Sequence, residues 1–215
     1  MKKIALALLA CAVALTGARA ATNQEVVNDS ANILRQFYRM PEKQIPRKIM
    51  ENARGLAIIR VLKVGFGFSG KGGQGIVVAR TGHGWSGPSF IGLGGAGIGW
   101  QIGAQLTDYV FVLNTDAAVR AFSRRGNIKI GADVSAAAGP VGRDVQASVT
   151  PTAAVYTYSR SKGLFAGASV GGAIIASQDD ANASYYGRPV SARAIVEGRV
   201  ASPPGAKRLL RLLNR

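Results

Sequence analysis

Cysteine and histidine are nearly absent from this chain of 215 residues, which has one of each, Cys11 and His83. A disulfide within the chain and a histidine-rich metal site are therefore excluded. His83 lies between two glycines, a setting typical of an exposed turn, and no Asp or Glu is spaced to form a catalytic relay with it. Catalysis thus has little support, and no cofactor is expected.

Acidic residues are scarce as well, since 11 Asp and Glu stand against 27 Lys and Arg, a formal net charge of +16. Such a surface favours polyanionic partners. Nucleic acid is one such partner, but an exported protein rarely meets it. Anionic lipid surfaces are the more plausible partners outside the cytoplasm.

Export is predicted from residues 1–20, where Lys2 and Lys3 precede the apolar segment Ile4 to Leu15 and the cleavage site Ala18-Arg19-Ala20. The apolar segment is shorter than the ~20 residues that span a bilayer. Removing residues 1–20 would leave 24 Lys and Arg against 11 acids, a net charge of +13. We expect a peripheral membrane protein of the periplasm or cell envelope. A lipoprotein anchored through Cys11 is the second reading.

Two helices are predicted at the start of the remaining chain. Thr22 and Glu25 form a capping box, and apolar residues at helical spacing follow as far as Met40. Ile45-Pro46 opens a shorter basic helix from Arg47 to Asn52, with Gly55 as its left-handed stop. The first helix is expected to dock on the core.

Strands dominate the middle of the chain, where Gly65 to Gly103 holds fifteen glycines among β-branched and aromatic residues. Glycine inside strands marks bulges, bends or close backbone approach. The pattern predicts an α+β fold with a curved, mainly antiparallel sheet, barrel-like or two-layered. Predicted strands are Leu56 to Val64, Gly75 to Arg80, Tyr109 to Leu113, Ile128 to Val134, Ala153 to Ser159 and Leu164 to Ala176, with a helix capped by Asn114 or Thr115 and running through Phe122.

The C-terminal tail, residues 201–215, is predicted to form a short basic amphipathic helix after the single domain of residues 21–200. Its leucines and its bases fall on different sides of the helical wheel. A helix this short needs a surface to form, either lipid or the protein's own core, and both remain open. The basic residues are Lys207, Arg208, Arg211 and Arg215.

Basic residues beside aromatic residues are a second candidate lipid-binding feature. An exposed Phe at a basic rim could enter the lipid headgroups while the cations meet their phosphates. The alternative is that the aromatics lie in the core. The candidates are Lys63, Phe66, Phe68, Lys71, Arg160 and Lys162, with Arg47 and Lys48 of the short helix.

One acidic cluster, Asp179, Asp180 and Asn182, lacks the spacing of a calcium loop and predicts a solvated turn. An enzyme is the third reading of the chain. It would require a cluster of aspartates with Tyr or Ser that the sequence cannot show, drawn from Asp108, Asp116, Asp133 and Asp144.

Several segments in a fixed order resemble the SYLF family. They are Lys63 to Gly70, Gly75 to Arg80, Trp85 to Phe90, Gly99 to Gly103, Ala138 to Arg143, Tyr156 to Gly167 and Tyr186-Gly187. The resemblance covers roughly residues 25 to 195. It implies binding of acidic phospholipids, and for eukaryotic members also binding and bundling of actin.

The lipid half of this resemblance is expected to apply here, whereas actin binding does not suit an exported protein. In some relatives an N-terminal helix contributes to lipid binding, which maps onto Thr22 to Met40. Glu25 and Asp29 make that segment less basic than a lipid helix requires. We therefore predict non-enzymatic binding of anionic phospholipid membranes. The alternative is a structural protein that binds an acidic envelope polymer or protein partner.

Overall fold

The computed structural model describes residues 21–40, 45–129, 133, 135–138, 153–167 and 173–214, so the predicted signal segment and Cys11 lie outside it. In chain order the elements are α1 (Asn23–Arg39), α2 (Arg47–Asn52), β1 (Gly55–Thr81), β2 (Gly84–Trp85), β3 (Ser89–Leu113), α3 (Asp116–Ser123), β4 (Asn127–Ile128), β5 (Ala136–Ala138), β6 (Val155–Gly167), β7 (Ile174–Ser177), α4 (Asp179–Tyr186), α5 (Ala192–Val196), a 3₁₀ turn (Pro204–Ala206) and α6 (Lys207–Leu213).

One sheet joins all the described strands, in the order β2-β1-β3-β6-β5, with β7 pairing β3 and β4 pairing β7. Its pairs are antiparallel except β5 with β6, which is parallel. The predicted α+β class and the curved, mainly antiparallel sheet are confirmed, as are the helices at both ends.

Helix α1 begins at the predicted capping box. The Glu25 amide donates to Thr22 Oγ1 at 3.3 Å, and the Thr22 amide donates to Glu25 Oε2 at 2.6 Å. The apolar face of the helix, which includes Val27, Leu34 and Phe37, is buried against one face of the sheet. A second hydrophobic cluster fills the opposite face under α3 and α5. The expected docking of the first helix is thus confirmed.

The largest error of the strand predictions lies in β1. Leu56 to Val64 and Gly75 to Arg80 are parts of one 27-residue strand, because the intervening glycines continue the pairing with β3. Gly55 begins this strand and does not terminate α2, whose C-cap is Ala53 in an extended conformation. Most of the predicted strand Ile128 to Val134 lies outside the described residues.

The predicted acidic turn was also wrong. Asp179 and Asp180 lie in the first turn of α4, where the positive end of the helix dipole stabilises their carboxylates. Asn182 is fully buried, and its side chain bonds the Phe90 amide at 2.8 Å and Ser89 Oγ at 3.2 Å. His83 lies in an exposed turn, as predicted. Among the described residues, no helix has the length and apolarity to cross a membrane.

Candidate functional site

The long ribbon formed by β1 and β3 folds back on itself near a β-bulge between Phe66 and Phe68. The two halves of β1 then pass at backbone contact. A Cβ on Gly73 would lie 2.3 Å from the Arg60 carbonyl oxygen, and one on Gly75 would lie 2.0 Å from that of Ile58. Because only glycine permits this approach, the glycine run allows the ribbon to bend back on itself.

Large apolar side chains are exposed around this bend. Phe68 is 75% exposed, Ile102 59%, Leu62 48% and Val64 42%. Leu62 and Val64 are two residues apart, and the strand partner of Phe66 is Ile102, so Leu62, Val64 and Ile102 share one face of the ribbon. We call Leu62, Val64, Phe68 and Ile102, with Lys63 and Lys71, the ribbon tip.

Three consecutive rows across β1, β3 and β6 lead from the core to the ribbon tip on this face. The first row is buried with α1 in the hydrophobic core, the second is ionic, and the third begins the exposed region. The rows are Ile58, Val110 and Tyr158; then Arg60, Asp108 and Arg160; then Leu62, Leu106 and Lys162.

The ionic row is a buried network centred on Asp108, whose side chain is 5% exposed. Its carboxylate accepts from Arg60 Nε at 2.7 Å and from Arg160 at 2.7 Å, and Arg60 also pairs with Asp29 of α1 at 2.8 Å. Burial acts to raise the pKa of Asp108, but the hydrogen bonds and charges of the two arginines outweigh it and lower the pKa. On this face of the sheet, the region covered by α1 extends as far as this network.

Arg160 therefore occupies a different setting from the predicted basic rim. Its side chain is 17% exposed, and its guanidinium is held by Asp108. Sequence reasoning could not detect this, because the partner lies 52 residues away on a neighbouring strand.

The fold brings Lys63 and Lys71 together across the doubled ribbon. Burial, followed by the charge of Lys63, lowers the pKa of Lys71. Lys63 alternates with Leu62 and Val64 and so lies on the other face of the strand. Lys162 is exposed opposite Leu106. The predicted Phe66 pairs with Ile102 through its backbone, and its side chain lies outside the described part. The ribbon tip combines apolar side chains with nearby cations.

The predicted tail forms helix α6, and this helix packs on the protein's own core. Leu209, Leu212 and Leu213 are buried in the cluster that contains α1, so the protein's own core supplies the surface on which this helix forms. The bases Lys207, Arg208 and Arg211 are exposed, whereas Arg215 lies outside the described residues. Arg208 donates to Asn32 Oδ1 of α1 at 2.6 Å.

The remaining basic candidates, Arg47 and Lys48, are exposed at the first turn of α2. Arg47 pairs with Glu51 one helical turn later at 2.8 Å. In the described part of the chain α2 lies apart from the ribbon tip, because it precedes β1 at the end of the ribbon opposite the bend.

The Trp85-Ser86-Gly87-Pro88-Ser89 segment is a docking point for the C-terminal half. Ser86 Oγ accepts from the Ala79 amide at 3.0 Å, and Tyr186 Oη donates to the Pro88 carbonyl at 3.1 Å. A Cβ on Gly87 would lie 2.2 Å from Tyr186 Oη. These contacts explain the motif through packing.

The aspartates of the enzyme reading occupy separate environments. Asp108 is bound by two arginines, Asp116 begins α3 near Arg54, and Asp133 Oδ2 accepts from the Lys129 amide. Asp144 lies outside the described residues. Within the described part of the chain, no three His, Cys, Asp or Glu residues are grouped to hold a metal ion.

Comparison with known proteins adds the family to this geometry. Residues 94–215 match the model of the Ysc84 family, described as "Las17-binding protein actin regulator". The chain belongs to this family, also called SYLF. The resemblance drawn from the sequence is thereby confirmed.

Related proteins occur in yeasts and mammals. Protein YSC84 of Saccharomyces cerevisiae is 46% identical over 195 residues, covering 86% of this chain and 42% of its own length. LAS seventeen-binding protein 3 of the same yeast is 47% identical over 178 residues, covering 80% of this chain and 39% of its own length. SH3 domain-containing YSC84-like protein 1 of Homo sapiens is 40% identical over 193 residues, covering 86% of this chain and 56% of its own length. This chain thus spans roughly half the length of these relatives or less.

Proposed function

We propose that this protein binds anionic phospholipid membranes of the cell envelope through the ribbon tip, without catalysing a reaction. The observation that carries the proposal is the exposure of Leu62, Val64, Phe68 and Ile102 at the bend of the ribbon that also carries Lys63 and Lys71. Large apolar residues clustered on a surface mark an interaction site.

The chemistry of the ribbon tip suits a bilayer interface. The apolar side chains enter the region below the headgroups, while the lysines extend along the strand and meet lipid phosphates. Each cation near an anionic surface contributes about 1 kcal/mol and loses it as salt increases. Lys162, which is exposed in the row of Leu62 and Leu106, adds to the same surface.

The ribbon tip also suits insertion because its apolar side chains are exposed while α1 stays packed on the core. The apolar face of α1 is buried in the core, and Asp29 ties that helix to Arg60. Exposing the α1 face would remove side chains such as Leu34 and Phe37 from the core. Insertion of the ribbon tip costs no such unpacking.

Replacing Phe68 with Ser tests the proposal by co-sedimentation with vesicles of phosphatidylcholine and graded phosphatidylglycerol. Burial of a Phe side chain contributes about 1.5–3 kcal/mol, so affinity should fall about tenfold to a hundredfold. Ile102→Ser should act in the same direction. Ile174→Ser is the matched control, because Ile174 is an exposed isoleucine on β7, outside the ribbon tip.

An unchanged affinity in Phe68→Ser and Ile102→Ser would overturn the proposal. Soluble glycerophosphate, which carries the headgroup chemistry without acyl chains, serves as a competitor. Binding that this competitor abolishes would indicate recognition of the phosphate alone.

A protein partner is the second candidate, and the printed descriptions of the relatives support it, since LAS seventeen-binding protein 3 is named for a protein that it binds. For this chain the same basic and apolar surface would receive an acidic protein or an envelope polymer. Such a partner should bind in the absence of lipid and should compete with vesicles for the ribbon tip.

A further inference from the structure

An open cleft lies at the end of the molecule away from the ribbon tip, between α3, α5 and the segment that leads into β6. Its volume is about 530 Å³, within the size range of small-molecule sites. Small side chains leave this space open, namely Ala117, Ala118, Ala121 and Ala154.

Three arginines line this cleft. Arg120 lies in the last turn of α3, Arg124 is the C-cap residue of that helix four positions later, and Arg193 comes from α5. Arg193 Nε donates to Glu197 at 2.7 Å, which fixes its guanidinium at the wall. The side chains of Arg120 and Arg124 form no hydrogen bond or ion pair with any residue that the structure describes.

Arg193 is paired with Glu197, whereas the described polar groups of the cleft leave the charges of Arg120 and Arg124 without a counter-ion. Asp133, the one acid among the described residues that line the cleft, accepts from the Lys129 amide at 2.7 Å. Ser135 Oγ accepts from the Ala154 amide at 3.1 Å, which leaves its hydroxyl hydrogen able to donate to a ligand. The cleft therefore presents donors and an excess of positive charge.

Guanidinium groups present a planar fork of N–H donors that matches the oxygens of carboxylates and phosphates. Residues one helical turn apart on a helix surface have Cβ atoms about 5–6 Å apart. Arg120 and Arg124 can therefore engage neighbouring anionic groups of one molecule. We infer that this cleft binds a small ligand with two or more oxyanionic groups, either phosphates or carboxylates.

The cleft and the ribbon tip are separate sites. Helix α3 follows the end of β3 at Leu113, and eleven residues of that strand, about 35 Å along its path, separate Leu113 from Ile102. A ligand in the cleft should leave the ribbon tip able to contact vesicles.

Isothermal titration of the full chain at low salt tests this inference, with pyrophosphate and citrate as probes. We expect saturable binding of at least one probe with one site per chain. Stronger binding of pyrophosphate would assign the site to phosphates, and stronger binding of citrate would assign it to carboxylates. Absence of saturable binding of both probes would overturn the inference.

The double variant Arg120→Gln/Arg124→Gln should weaken binding at least about tenfold, because it removes two charged hydrogen-bond donors from the cleft. The matched control is Lys207→Gln/Arg211→Gln, which removes two charges at the same spacing from the exposed face of α6. Its affinity for the probe should stay within about twofold of that of the unmodified chain. An equal loss in both variants would show diffuse charge attraction and overturn the inference.

Arg120→Lys/Arg124→Lys keeps the charge and removes the planar fork. It should also bind more weakly, and full affinity in this variant would contradict recognition by guanidinium groups. Vesicle co-sedimentation of the same variants should match that of the unmodified chain. A failure of pyrophosphate and citrate binding would therefore leave the proposed membrane function standing.

Discussion

The ribbon tip and helix α6 carry the same kinds of side chain, apolar residues next to lysine or arginine. In α6 the leucines at 209, 212 and 213 are buried against α1, and only the bases face solvent. At the ribbon tip, Phe68 and Ile102 remain more than half exposed although they lie in a continuous ribbon. An amphipathic pattern therefore becomes a candidate membrane surface only where the fold leaves its apolar face uncovered.

The boundary between covered and uncovered surface is the ionic row around Asp108, and its removal should have the largest effect. Asp108→Ala leaves Arg60 and Arg160 without their shared partner, which should destabilise the protein by about 3–5 kcal/mol. Urea unfolding at neutral pH measures this loss. Asp116→Ala, which removes an exposed aspartate 3.9 Å from Arg54, should change stability by less than about 1 kcal/mol.

The same network predicts the direction of a pH effect. The pKa of Asp108 is lowered in the folded protein. Its contribution to the free energy of unfolding is therefore complete above the ordinary aspartate pKa of about 3.9, and it is lost as pH falls through the lowered pKa. Unfolding curves between pH 6 and pH 2 should show a smaller acid loss in Asp108→Ala than in the unmodified chain. Equal losses would contradict a stabilising role of the ionised carboxylate.

Truncation of a leucine in α6 sharpens the comparison from the other side. Leu209 is fully buried, so Leu209→Ala should reduce the free energy of unfolding by about 2–5 kcal/mol. Vesicle affinity of the folded protein should stay unchanged, because this leucine faces the core. Phe68→Ser should show the reverse, with stability within about 0.5 kcal/mol of the unmodified chain and weaker vesicle binding. A vesicle defect in folded Leu209→Ala would give the helix a direct role in lipid binding.

The smallest effect should come from the charges. Lys63→Gln/Lys71→Gln should weaken vesicle binding about fivefold per charge at low salt and much less at high salt. Lys207→Gln/Arg211→Gln removes the same charge from α6 and should change affinity by about twofold at most. Equal losses in the two variants would mean that overall charge, and not the ribbon tip, determines binding.

Local signals in the sequence were sufficient for α1, α2 and the helix capped by Thr115, because caps and proline act within one turn. They could not show that the glycines of Gly65 to Gly75 continue one strand, since that depends on pairing with β3. The burial of Asn182 likewise depends on the Phe90 amide, 92 residues away.

The residues of the candidate site likewise fall into those that the sequence predicted and those that it missed. The sequence predicted Phe68, Lys63 and Lys71 as one group, and the doubled ribbon brings the two lysines together. It missed Leu62, Val64 and Ile102, because their alternation in a strand is equally typical of a buried face. It also could not separate Arg160, bound by Asp108, from the exposed Lys162 nearby.

The central claim is tested most directly by placing an environment-sensitive fluorophore at a single cysteine in the ribbon tip or in α6. Cys11 is the one native cysteine, so Cys11→Ser provides the background for Phe68→Cys and Arg211→Cys. On anionic vesicles the account predicts a blue-shifted, brighter emission from the label at position 68 and no shift at position 211. A shift at position 211 with none at position 68 would contradict it.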